Sequence, residues 1–386
     1  MRRKLTLVLL VLAICSSLFA ADWAFVFKDL GQHPEILGGF LPSYLMAGAG
    51  YKGASLIEGD KTQIDLIVGA GYNQRKVWQD PITGAIIKED PVVYDVIVAD
   101  WAVRFNQGFL DSPAGDKDLL TLSAGYWGKF EKNVDSMAVG KTRKNGVPGA
   151  IRTLDQYLAG VPDDGNILSD VHGSRMMLGN SFSLSLKLDA MSDTIMTNDG
   201  FWANLELRYA PKALNSALDG FADFYSVTLN AVGACTLFDY ATEKNNWFSI
   251  VAIDRVNVNW TDGSAVPQYE QSSLSLGRKV RGFTKNTYNT QFTVVNNFDI
   301  RLAGIKLGLK GLHPRINLFF DMGYSGGKLF NTELVQSDFL CSTGAQFTIS
   351  AFDFIDLGYQ LAYIISGESY QNASKLVGSF TFFLDF

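Results

Sequence analysis

The chain has 386 residues, of which 47% are hydrophobic and 13% aromatic, with 33 basic residues against 39 acidic ones. A net charge of −6 argues against nucleic acid as a partner, since phosphate binding needs clustered positive charge. Mean hydropathy is nearly neutral at +0.07. Beyond the N-terminus no continuous apolar run reaches the ~20 residues a spanning helix needs, whereas half-polar strands reconcile the apolar content with that neutral mean.

Taken in chain order, Arg2, Arg3 and Lys4 precede an apolar run from Leu5 to Ile14, and small residues follow at Ala20 and Ala21. This pattern predicts a signal peptide over 1–20. Without it the chain carries 30 basic and 39 acidic residues, a net of −9. Leu12, Ala13 and Ile14 before Cys15 loosely resemble a lipoprotein cleavage site, but the bulky Ile14 stands where a small residue is expected. Residues 21–40 read as a lead segment, either a plug strand or a linker, and the barrel is expected over 41–386.

The strand signal is an alternation of period two. Phe182, Leu184, Leu186 and Leu188 oppose Ser181, Ser183, Ser185, Lys187 and Asp189. Phe201, Ala203, Leu205, Leu207 and Tyr209 oppose Trp202, Asn204, Glu206 and Arg208, and Leu120, Leu122, Ala124, Tyr126 and Phe130 oppose Thr121, Ser123 and Lys129. Similar runs begin near Leu41, Thr62, Val92, Phe224, Trp247, Gln291, Pro314, Leu340, Phe354 and Lys375, with weaker ones expected near Asn257 and Ser272. Short turns alternate with longer polar stretches, as in a barrel with short periplasmic turns and long outer loops. Ile151, Leu154, Tyr157 and Leu158 fall at helical spacing, which suits a short helix or an amphipathic loop, and Pro211 to Leu218 suits a second short helix.

The final run places Leu376, Gly378, Phe380, Phe382, Leu384 and Phe386 on one face and Lys375, Ser379, Thr381 and Asp385 on the other. In lipid every backbone donor and acceptor must be paired internally, and strands achieve this by closing on themselves. The fold class expected is therefore all-β, a transmembrane antiparallel up-and-down barrel in a bacterial outer membrane, with lipid as its first partner. Catalysis, a cofactor and a metal are not expected. Gly48, Gly50 and Gly53 spell a dinucleotide-like G-x-G-x-x-G, but the helix it requires does not follow. His33, His172 and His313 stand apart without ligand spacing, and Cys235 and Cys341 lie in separate strand-like runs.

Three later segments are more specific: Val280-Arg281-Gly282-Phe283 in a polar loop, then Asn297-Phe298-Asp299-Ile300-Arg301, then Phe319-Phe320-Asp321-Met322-Gly323. In this order and spacing before Phe386, they resemble the BamA/TamA outer-membrane assembly and two-partner-secretion superfamily, the bacterial surface antigen barrels. The resemblance implies sixteen strands, five of them after the V-R-G-F loop, and a loop folded back into the lumen. Arg281 would there meet Asp299 and Asp321, with Val280, Gly282 and Phe283 completing the loop motif. Alternation independently turns both carboxylates inward. The resemblance also implies protein insertion or translocation through a weak seam between the first and last strands, here the runs Leu41 to Tyr51 and Lys375 to Phe386. Gly378 would weaken the last of these, or merely bend it.

Two departures qualify it. Leu276-Gly277-Arg278-Lys279 has one glycine where the family shows a pair. The family's periplasmic POTRA modules have no room in 21–40, so a barrel-only member is expected, with client outer-membrane proteins and a separate POTRA-containing or chaperone-like partner. The alternative is a passive channel or ligand-uptake barrel for small solutes, with Lys187, Asp189, Glu206 and Arg208 lining the path. A third reading is a surface antigen whose long loops are its working part.

Overall fold

A computed structural model describes residues 23–28, 44–55, 61–77, 92–111, 118–135, 176–193, 198–218, 220–241, 247–283, 287–304, 312–330, 333–351, 355–367 and 375–384. The strands are β1 (Trp23–Lys28), β2 (Tyr44–Ser55), β3 (Thr62–Val77), β4 (Val92–Asp111), β5 (Asp118–Asp135), β6 (Met176–Asp189), β7 (Ser192–Asp193) and β8 (Asn198–Ala210). They continue as β9 (Gly220–Phe221), β10 (Asp223–Ala241), β11 (Trp247–Ala265), β12 (Thr290–Ala303), β13 (Leu312–Leu329), β14 (Val335–Ala351), β15 (Ile355–Ser366) and β16 (Leu376–Leu384). Three short helices are α1 (Lys212–Asn215), α2 (Gln268–Leu274) and α3 (Leu276–Lys279).

Every long strand pairs antiparallel with the next in chain order, in one sheet. Fourteen strands form this main path among the described residues, and the dipeptide strands β7 and β9 sit off it, against β8 and β6. The sequence reading placed the first strand at Leu41 and left 21–40 as a lead. The sheet instead begins inside that segment, because β1 pairs with β2 from Trp23↔Tyr51 to Lys28↔Met46. Alternation over only six residues is too short to read against the lead's surroundings. The run near Asn257 is continuous with the run from Trp247 in β11, and Ser272 lies in helix α2, not in a strand. The short helix expected after Pro211 is present as α1. The helical spacing at Ile151–Leu158, His33, His172 and the signal peptide lie outside the described residues.

The two faces of the sheet are inverted relative to a water-soluble protein. Leu184, Leu186, Leu205, Leu207, Leu318, Phe320, Leu357 and Leu361 are exposed, while Asp65, Glu131, Asp299 and Asp321 are buried. The exposed apolar rows end in aromatic residues: Tyr225 meets Trp260 at 5.1 Å near one end of β10 and β11, and Phe238 meets Phe248 at 6.2 Å near the other. From Phe248 to Trp260 is roughly 40 Å at ~3.3 Å per residue. At a barrel strand's tilt of ~40° this spans about 30 Å in height, the thickness of a bilayer's hydrocarbon. No helix among the described residues is long and apolar enough to cross a membrane.

Connections differ at the two ends of the sheet. One end carries 29–43, 78–91, 136–175, 211–222 and 266–289 with the shorter 330–334 and 367–375, while the other carries 56–61, 112–117, 190–197, 242–246, 304–311 and 352–354. The long connections therefore share an end with 266–289, the segment that holds the V-R-G-F motif.

Candidate functional site

Connection 266–289 folds over the inward face of the sheet, and its chemistry is concentrated at Arg281. Asp299 on β12 and Asp321 on β13 point to this face because Phe298, Phe320 and Met322 take the opposite one. The Arg281 guanidinium donates from Nε to Asp321 Oδ2 at 2.8 Å, from Nη2 to Asp321 Oδ1 at 2.6 Å and from Nη1 to Asp299 Oδ1 at 2.7 Å. Its backbone N–H also donates to Asp321 Oδ2, at 2.9 Å. This is the fork geometry that a planar guanidinium makes and an ammonium cannot copy.

The surroundings keep the fork in place. The guanidinium lies 3.9 Å from the Phe319 ring centroid, the Ser342 hydroxyl donates to the Arg281 carbonyl at 2.7 Å, and Arg255 on β11 reaches the second oxygen of Asp299. Asp299 and Asp321 are 1% and 0% exposed, so removing Arg281 would strand buried carboxylates. Burial alone would lower the Arg281 pKa, but the bonds to Asp321 and the charge of Asp299 outweigh it and raise the pKa above its ordinary value.

Val280 packs with Leu276, Tyr288, Val295 and Leu340 in a buried cluster against which Phe283 rests. Gly282 holds φ at +94°, a region that glycine adopts without Cβ strain, and it sits against Ala362 and Ile364 of β15. The last glycine of F-x-D-x-G makes room for the loop: a Cβ on Gly323 would stand 2.5 Å from Leu276 and 2.7 Å from Val280. Lys279 donates to Asn257, while its carbonyl accepts from Asn297 at 3.0 Å. Burial, followed by the Arg278 charge, lowers the Lys279 pKa to about 8.

A second attachment lies on the earlier strands of the sheet. Glu270 of α2 pairs with Arg208 of β8, and Arg208 donates to Ser181 at 2.8 Å. The Tyr269 ring receives Lys129 at 4.6 Å and its hydroxyl occupies the space over Gly179. Val266 and Leu274 join Ala210, Ala222, Phe224 and Phe330 in another buried cluster. The connection is thus a strap whose α2 end sits on β5 to β10 and whose V-R-G-F end sits on β11 to β15. These two groups of strands face one space.

The structure brings Arg281, Asp299 and Asp321 together, with Val280, Gly282 and Phe283 beside them. Of the proposed path-lining charges, Lys187 pairs with Asp189 at 3.1 Å and Arg208 is held by Glu270. Arg255, Glu270 and Ser342 were not singled out in the sequence, and Phe319 was named only as part of its motif; strand register brings the wall residues to the site, and register is invisible to a motif. At the last strand, Tyr359 of β15 leans over Gly378 and packs at a tilt against Phe380, with ring centroids 4.8 Å apart. Phe380 is 86% exposed, Phe382 lies within β16, and Phe386 falls outside the described residues. Cys235 and Cys341 are both free thiols, and no metal-binding cluster occurs among the described residues.

No family model and no curated protein matches the chain. Among solved structures, it is similar to BamA from Haemophilus ducreyi lacking POTRA domains 1–3, with a TM-score of 0.50 and 11% identity, over 88% of this chain and 62% of that one. The siderophore receptor PirA from Acinetobacter baumannii also matches, at a TM-score of 0.31 and 13% identity over 86% of this chain and 46% of that one, too distant to carry an argument. At this identity the first likeness establishes a BamA-like barrel fold alone, and the chain spans less than two thirds of that relative's length.

Proposed function

We propose that this chain is a bacterial outer-membrane β-barrel of the BamA/TamA kind, working in outer-membrane protein insertion or translocation. The observation that carries the reading is the inward strap fixed by Arg281 on Asp299 and Asp321. A diffusion pore has no need of a strap tied to both walls of its lumen, whereas a barrel that parts at its seam needs an internal brace to keep the remaining strands in register. Exposed apolar rows bounded by aromatic ends support the membrane setting.

In this reading β1 and β16 meet to close the barrel, replacing the run near Leu41 as the first seam strand. Among the described residues they hold 6 and 9 residues, against 20 in β4 and 19 in β11, so their junction would carry the shortest ladder of the main path. A client strand is then templated on a parted edge, since an exposed strand edge is a ready acceptor of another strand. A separate periplasmic POTRA-containing or chaperone-like protein delivers the client.

Cysteines placed in facing positions of β1 and β16 test this. Oxidation in cells is expected to lower assembly of other outer-membrane proteins and reduction to restore it. Unchanged assembly with the seam quantitatively cross-linked would sink the proposal and favour the passive channel.

A further inference from the structure

The outward face of β11 runs Phe248, Ile250, Ala252, Asp254, Val256, Val258 and Trp260. Asp254 is the interruption, an exposed carboxyl placed as far from Trp260 as from Phe248 along the strand. Asn296 on β12, also outward, donates to it from Nδ2 at 2.5 Å. Among the described residues, the outward rows of the neighbouring strands β8, β10, β12 and β13 are otherwise apolar here, and they offer no lysine or arginine. Neither Asp254 nor Asn296 has another side-chain partner among the described residues.

If the barrel spans a bilayer, the reading on which this inference rests, the pair sits at the depth where lipid supplies neither donor nor acceptor. A polar group there calls for a protein partner. One amide N–H is used on Asp254, leaving the second N–H, the amide oxygen and the other carboxyl oxygen without partners. That set contains both donor and acceptor and is complementary to itself: in a two-fold pair each carboxyl accepts from the other copy's amide. A cation on an unrelated segment would match the carboxyl and leave the amide unpaired. The adjoining surface also permits close approach. A Cβ on Gly233, directly opposite Asp254, would meet nothing within 4 Å, and Ala231 and Ala252 flank the same spot. Small residues of this kind let membrane-embedded surfaces come together.

We propose that Asp254 and Asn296 mark a face on which a second copy of this chain docks within the bilayer. The protein carries its own reporter: Cys235 is exposed directly opposite Ala252, while Cys341 is buried. A nitroxide on Cys235 of the full chain in liposomes, with Cys15→Ser to leave one accessible thiol, gives two readouts. Stronger relaxation by oxygen than by a water-soluble nickel reagent is expected, and the reverse would mean that this face is not in lipid and that the membrane reading itself fails. Dipolar spectroscopy is expected to show a discrete distance between copies that persists on dilution with lipid, survives Asp254→Asn, and disappears in Asp254→Leu with Asn296→Leu. Leucine suits a lipid face, so this double variant is expected to keep the heat-dependent gel shift of a folded barrel. A label in lipid with no coupling between copies, coupling unchanged in the double variant, or coupling replaced by contact with another outer-membrane protein would each overturn the proposal.

Discussion

Arg281 makes three side-chain bonds and one backbone bond to two carboxylates that have almost no access to solvent. Arg281→Ala is expected to destabilise the fold by about 3–5 kcal/mol, the usual cost of breaking a buried ion pair from one side. Arg281→Lys is expected to recover only part of this, because an ammonium cannot span both oxygens of Asp321 while also reaching Asp299. Urea unfolding in liposomes, followed by tryptophan fluorescence, measures both. Lys279 gives a pH signature. Its pKa is lowered to about 8 in the fold from an ordinary 10.5, so between these values the unfolded chain binds more protons and stability rises with pH. Lys279→Gln is expected to flatten that rise. At this scale the inward facing of Asp299 and Asp321 was legible from alternation alone, and their link to Arg281 came from the ordered motifs. The Phe319 stack and the Arg255 contact were not legible, since they depend on register and on the path of the strap through space.

At the scale of elements, the strap is held at both ends, by Glu270 on Arg208 and by Arg281 on β12 and β13. A double-mutant cycle of Glu270→Gln with Arg208→Gln is expected to show coupling of about 1–3 kcal/mol, as for residues in one network. A cycle of Glu270→Gln with Arg281→Ala is expected to show positive coupling in protease sensitivity of 266–289, because freeing either end leaves the other as the remaining anchor. Additive effects would mean that the two attachments act independently. The long strands were legible because period two persists over many residues. Helices α2 and α3 were not: Leu274 and Leu276 alternate with Ser273 and Ser275 like a strand, and over so short a stretch that pattern cannot be told from a helical one. Gly378 likewise looked like a bare patch in sequence, whereas the side chain that covers it comes from the neighbouring strand.

For the whole molecule, one antiparallel sheet runs in chain order, and the described part of connection 266–289 lies on its inward face, tied to β8 at one end and to β12 and β13 at the other. The overall architecture was readable because the solvent on each side of a membrane barrel imposes opposite polarity on alternate residues. Which strand comes first was not, since β1 is six residues long. The central proposal is that the strap, fixed by Arg281, braces the inner face of the sheet and obstructs the lumen. Single-channel recording of the purified protein in planar bilayers tests it most directly. A closed or briefly flickering barrel is expected for the natural chain, with long openings in Arg281→Ala. A steady open pore in the natural chain that is unchanged by Arg281→Ala would contradict it.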